Sequence, residues 1–242
     1  MIRFENVSVS YEKDIVILHS LCFEIKAGES VGLIGANGAG KSTLLKTLTG
    51  LMPFEGEITV CGLPLVKDNL AEIRRKTGYV MQNSDNQMFM PKVIDDMIFG
   101  PVNYGMPRDE AEKSAEDALE KLDALYLRDK YNHKLSGGEK RLAAIATILV
   151  MKPKILLFDE PSSALDPKNR HNLIGIINLL PETKIIATHD LDFVLDTCER
   201  VILLSEGKIA ADGSAAEILS DKDLLEDNGL ELPLSYLGRQ QI

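Results

Sequence analysis

The chain has 242 residues, 45% of them hydrophobic and 26% charged, with a formal net charge of −10. That balance suits a globular protein of one large or two small domains and excludes the broad basic surface that nucleic-acid backbones require, while leaving room for a local basic pocket. Cys22, Cys61 and Cys198 are odd in number, far apart and without metal-ligand spacing, as expected of a reduced interior. Arg3, Glu5 and Glu12 interrupt any signal-peptide core, and no run approaches the roughly 20 apolar residues of a bilayer crossing, so any membrane role is expected to come through a partner.

Along the chain, short β-branched segments alternate with helical patterns, the mark of an α/β domain. Ser30–Ile34 reads as a strand, followed by a glycine-rich turn and a helix from about Lys41 to Thr49 that stops at Gly50. From about 83 to 150 the pattern becomes helical. Ala111, Ala115, Ala118, Leu119 and Leu122 recur at helical spacing among charges, and a second helix follows Gly138. This region is read as a helical insertion in the α/β core. Ile155–Phe158 and Lys184–Ala187 are unbroken apolar runs, as expected of parallel strands covered on both faces. Arg200–Leu204 and Lys208–Ala210 read as a late hairpin.

Chemistry concentrates at the ends of two of these strands. Gly35-Ala-Asn37-Gly38-Ala-Gly40-Lys41-Ser42 fits G-x-x-x-x-G-K-[ST] between a strand and a helix. Such a loop turns successive backbone N–H groups toward phosphate oxygens at a helix N-terminus. Lys41 is expected to reach the β- and γ-phosphates, Ser42 to offer a hydroxyl to Mg²⁺, and Thr43 to touch the α-phosphate. Ile155–Phe158 delivers Asp159 and Glu160 together at a strand's C-terminal edge. Two adjacent acids there repel each other unless a cation is held. Asp159 is therefore the expected Mg²⁺ ligand and Glu160 the group that polarises the attacking water.

With those two motifs placed, Leu135-Ser136-Gly137-Gly138-Glu139 resembles the signature segment of the ATP-binding cassette (ABC) ATPases, Glu139 replacing the usual Gln. The resemblance spans about residues 1–220 and implies an α/β P-loop NTPase of ABC type. Its mostly parallel core sheet would carry an N-terminal antiparallel β subdomain and the inserted α-helical subdomain, with residues 221–242 a tail that either is a solvated helix or serves dimerisation. It implies that Ser136, Gly137 and Gly138 clasp ATP held by a second ABC chain, in a homodimer or heterodimer. Ser163-Ala-Leu-Asp166 resembles the D-loop and places Asp166 beside that shared site. His189 matches the switch histidine of the γ-phosphate, and Gln82 the glutamine that meets Mg²⁺. Tyr11 matches the aromatic that stacks on adenine, although a strand tyrosine also serves simply as packing. Asn37 falls within the phosphate loop. Arg141 departs from the family, which usually carries arginine at the position of Leu142.

Finer likenesses concern transport. Gln82–Phe89, read as QNSDNQMF, resembles a segment of energy-coupling factor (ECF) ATPases, with Ser84 where proline is usual. Phe99-Gly100-Pro101, the LSGGEKR form and Gly229–Pro233 are most similar to cobalt- and nickel-transport ATP-binding proteins of that group. The implied protein is an ATP-hydrolysing importer subunit, peripheral on the cytoplasmic face of the membrane, for cobalt or another transition metal. A vitamin importer and a soluble ATP-driven clamp are the alternatives. Membrane subunits would dock at Asp85–Phe89: Asp85 would cap a short helix, Asn86 and Gln87 would be exposed hydrogen-bonding groups, and Met88 with Phe89 an adaptable apolar contact.

Overall fold

The computed structural model describes residues 1–12 and 15–237. In chain order it runs β1 (Ile2–Glu12), β2 (Ile15–Ile25), β3 (Ser30–Ile34), α1 (Lys41–Leu48), β4 (Phe54–Val60), β5 (Leu63–Pro64), α2 (Leu70–Lys76) and β6 (Thr77–Val80). Helices α3 (Val93–Asn103), α4 (Arg108–Lys121) and α5 (Gly137–Leu149) lead to β7 (Ile155–Asp159). Then come α6 (Pro167–Leu179), β8 (Thr183–Ala187), α7 (Leu191–Thr197), β9 (Arg200–Ser205), β10 (Lys208–Ser214), α8 (Ala215–Ser220), α9 (Lys222–Asp227) and α10 (Leu234–Leu237).

Two sheets result. An antiparallel sheet has the order β2-β1-β4-β5, and the core sheet has the order β10-β9-β3-β8-β7-β6. All neighbours in the core sheet pair in parallel except β10, which closes the edge as a hairpin with β9. Strands β3, β7 and β8 are buried at every residue, which explains their apolar runs Val31–Ile34, Ile155–Phe158 and Ile185–Ala187. Alternate side chains feed two cores, as the strand period of two dictates. Ile155 and Leu157 face α1 and the antiparallel sheet, whereas Leu156 and Phe158 join the core beneath α3–α5.

The helices between β6 and β7 pack through a narrow apolar stripe. Ala111, Ala115, Ala118 and Leu119 are the buried face of α4, and small residues there bring α4 close to α3 and α5. The acidic stretch after Ser220 is amphipathic: Leu225 is fully buried and Leu232 nearly so. Its last described turn is tied down by Leu234 N–H and Ser235 N–H, which donate to the Asp192 carboxylate. Residues 238–242 of the expected tail lie outside the described residues.

Candidate nucleotide site

The phosphate loop leaves β3 and closes on α1 with Gly40 at the N-cap, in a left-handed conformation (φ 104°) that favours glycine. Tyr11, Asn37, Gly38, Gly40, Lys41, Ser42, Thr43, Gln82 and Glu160 line one cleft of about 370 Å³. Segments from β1, the phosphate loop, the end of β6 and the end of β7 thus converge as the motifs required. Tyr11 is 54% exposed, so it is not spent on core packing.

Lys41 is buried, and its ammonium donates to Gly35 O at 2.7 Å and Ala36 O at 3.2 Å. Burial pushes its pKa down, while Glu160 and Asp159 push it back up. A desolvated cation resting on its own loop carbonyls is poised for an anion. Ser42 Oγ donates to Asp159 Oδ1 at 2.8 Å, bringing two hard oxygen donors together beside Gln82. Among the described residues no three His, Cys, Asp or Glu side chains form a self-sufficient metal cage. The donor set fits Mg²⁺, which takes one or two protein oxygens and completes its shell with phosphates and water.

Glu160 has a positive φ of 46°, an unfavourable backbone state for a residue with a side chain. Three groups fix its carboxylate. Thr188 Oγ1 donates to Glu160 Oε2 at 2.9 Å, His189 Nδ1 lies 2.9 Å from the same oxygen, and His189 N–H donates to it at 3.4 Å. Asp190 N–H donates to Thr188 Oγ1 at 3.1 Å, so the single hydroxyl proton of Thr188 is left for the carboxylate. These contacts all fall on Oε2 and leave Oε1 turned to the cleft without one of them.

Ser136, Gly138 and Asp166 do not line this cleft. Gly137 instead faces a second crevice of about 380 Å³, bounded by Gln82–Asp85, Lys140, Arg141 and Ser163–Leu165. Ser136 caps α5 in a capping box: Glu139 N–H donates to Ser136 Oγ, and Ser136 N–H donates to Glu139. The serine hydroxyl proton is not used by the cap. Glu139 in place of glutamine is explained by its ion pair with Lys130 at 2.7 Å; that bond, with the Ser136 N–H, pulls its pKa down. Gly138 packs closely within the chain, since a Cβ there would lie 2.5 Å from the Asn169 side-chain amide, which would have to move aside. Asp166 caps α6 and accepts from Asn169 N–H, which with the Asn169 side chain lowers its pKa.

The segment Gln82–Phe89 differs from its sequence reading. Asn83, not Asp85, is the cap of a 3-10 turn over Ser84–Asn86, while Asp85 pairs with Lys140. Gln87 is half-buried and turned inward: its Oε1 accepts from Met81 N–H and its Nε2 donates to Ala144 O and Thr147 Oγ1. Met88 is buried; Phe89 remains exposed and meets Phe99 edge-on at 4.9 Å. Solvent-facing polarity and inward hydrogen bonding look alike in sequence, and α5, which decides between them, lies some 55 residues away.

Sequence reasoning also passed over Tyr79 and Thr188. Tyr79 OH donates to Asp159 Oδ2 at 2.9 Å, and burial first, then the Asp159 charge, pushes its pKa up. A polar tip on the residue three before Gln82, in a strand paired with β7, was the available signal.

A strand–loop–helix phosphate cradle, an Asp-Glu strand end and a histidine on the glutamate together define a P-loop nucleotide hydrolase. The family model described as ABC transporter matches residues 18–163, more than half of the chain. The chain belongs to the ABC transporter family and is an ATPase. It is 40% identical over 239 residues to the energy-coupling factor transporter ATP-binding protein EcfA of Methanothermobacter thermautotrophicus, covering 96% of this chain and 77% of that protein. Among solved structures it is similar to CbiO1 of Clostridium perfringens, part of the ABC transporter complex CbiONQ. The TM-score is 0.84 at 33% identity, over 99% of this chain and 97% of that one. A dimeric ATP-binding cassette in a post-hydrolysis state with ADP and Pi matches at TM-score 0.79 and 28% identity, over 89% of this chain and 99% of that one.

Proposed function

We propose that the chain is the ATP-hydrolysing subunit of an ECF-type importer, with cobalt or another transition metal as cargo. The observation that carries the ATPase part is the Glu160 carboxylate, held by Thr188 and His189 at the mouth of a phosphate cradle. The transport part is supported by the EcfA and CbiO1 likenesses.

In this reading Tyr11 stacks on the adenine, and N–H groups of Gly38 to Thr43 take the phosphates. Lys41 leaves its loop carbonyls for the β- and γ-phosphates. Ser42, Asp159 and Gln82 would hold Mg²⁺, whose positive charge would offset the negative charge of the phosphoryl oxygens. Glu160 takes the proton of the attacking water through Oε1 while His189 fixes the other oxygen and faces the γ-phosphate. A second ABC chain brings Ser136, Gly137 and Gly138 to the far side of the phosphate, with Asp166 and its loop at the shared boundary. That arrangement accounts for a signature segment exposed outside the chain's own cleft.

Membrane subunits would seat in the groove of about 340 Å³ formed by Asp85, Met88–Pro91, Asn132, His133 and Lys140. Its wall is rigid, because the buried Asp96 carboxylate accepts from Phe89 N–H and Met90 N–H and also from the Asn132 amide. Phe89, 64% exposed, is the apolar anchor such a groove offers. Among the described residues no helix is long and apolar enough to cross a membrane; in this reading attachment is through those subunits, peripheral and on the cytoplasmic face. The test is affinity purification from membranes with cobalt uptake in cells. Co-purifying polytopic subunits, lost in Phe89→Asp, and chain-dependent uptake are expected. Recovery as a soluble assembly with no membrane partner would overturn the importer reading; uptake of a vitamin instead of cobalt would overturn the cargo.

A further inference from the structure

Arg141 is 5% exposed, and no carboxylate among the described residues forms an ion pair with it. Its fork is spent on backbone: NH1 donates to Met81 O at 2.8 Å and NH2 to Gln82 O at 2.7 Å. Burial lowers its pKa, and the nearby Asp159 charge raises it again. Gln87 makes the second tie. It accepts from Met81 N–H at 3.1 Å and donates to Ala144 O at 2.7 Å and Thr147 Oγ1 at 3.0 Å.

Residues 141, 144 and 147 lie three apart along α5 and form one face of that helix. Where β6 ends, the chain therefore gives its next backbone groups to α5. The helix comes close enough because Gly78 carries no side chain; a Cβ there would sit 1.9 Å from Ile148 Cγ2. Gln82 meanwhile lines both the nucleotide cleft and the crevice beside Gly137. Its carbonyl is held by Arg141 of α5, and the N-terminus of α5 is the signature segment.

We propose that Arg141 is a positioning residue for hydrolysis: it grips the consecutive carbonyls of Met81 and Gln82 and makes the Gln82 segment move as one body with the signature helix. Seating Ser136–Gly138 on another chain's nucleotide then also aligns Gln82 in its own cleft. A guanidinium suits this task because its donors sit on separate nitrogens held in one rigid plane, so the two carbonyls are fixed in direction as well as distance. An ammonium instead offers all its donors from one freely rotating nitrogen. The proposal rests on Gln82 facing the nucleotide.

The experiment is a double-mutant cycle on the full chain, read as steady-state turnover and as equilibrium ATP affinity. Arg141→Met is expected to lower kcat roughly 10- to 100-fold and to leave ATP affinity within about twofold, with Arg141→Lys restoring part of the rate. In a Gln82→Ala background, Arg141→Met should cause no further loss, since both act through one group. Gln87→Met cuts the other tie without leaving a buried carbonyl pair facing a lost cation; it should show the same split and the same silence beside Gln82→Ala. It carries the test if Arg141→Met does not fold. Losses that multiply in the double variants would overturn the route through Gln82. Normal turnover in Gln82→Ala alone would instead remove the reading of Gln82 on which the proposal stands.

Discussion

The nucleotide cleft and the signature face are built on opposite principles. In the cleft every catalytic candidate is already engaged: Lys41 on loop carbonyls, Ser42 and Tyr79 on Asp159, Thr188 and His189 on Glu160. At the signature face Ser136 and Gly137 are exposed, and the bonds of Ser136 stay within its own helix turn. One region is a closed electrostatic unit, and the other is a capped helix end with spare donors. The contrast is what the proposed function requires, in which a single chain supplies the base and the cradle and another chain covers the remaining side of the phosphate.

The widest separation between the two regions is expected from Glu160→Gln. The amide cannot accept the water's proton, so phosphate release should fall roughly 10²- to 10⁴-fold, while ATP-dependent dimer accumulates in size-exclusion chromatography because binding survives. Undiminished turnover would remove Glu160 as the base.

A smaller effect, confined to the shared side, is expected from Ser136→Ala. Turnover should fall roughly tenfold and ATP-induced dimerisation should weaken, with nucleotide affinity of the isolated chain unchanged. Loss of the cap costs about 1 kcal/mol of helix stability, which confounds this variant alone. Ser136→Asp separates the two roles, since aspartate caps as well as serine but has no proton to donate. Full recovery of turnover in Ser136→Asp would make Ser136 a cap and nothing more.

The closed region was the more legible in sequence, and for a physical reason. The strand–loop–helix geometry fixes backbone donors within eight consecutive residues, and Asp159-Glu160 follows directly from a buried strand. The unread contacts join distant segments. Arg141 reaches residues about 60 positions earlier, Tyr79 one 80 positions later and Thr188 one 28 positions earlier. Such bonds leave no periodic trace, because they depend on which helix packs on which strand. The polar run after Met81 shows the same limit: composition marks it as hydrophilic, yet only the closeness of α5 turns Gln87 inward.

Tyr79→Phe tests the smallest of these differences with almost no change of shape. Asp159 carries one donor on each oxygen, Ser42 on Oδ1 and Tyr79 on Oδ2. A carboxylate held at both ends keeps a fixed aim, and groups that orient metal ligands contribute roughly 10- to 100-fold to metal affinity. Removing the one that is not itself an expected ligand should weaken Mn²⁺ binding to the ATP complex about tenfold, measured by electron paramagnetic resonance. ATP affinity without metal should not change, because Tyr79 is not among the residues lining the nucleotide cleft. If Mn²⁺ affinity is unchanged, the phenol merely fills space against β7, and the closed character of the cleft reduces to Ser42, Thr188 and His189. If ATP affinity falls as well, Tyr79 supports the cradle as a whole, and Asp159 is not a separately aimed ligand.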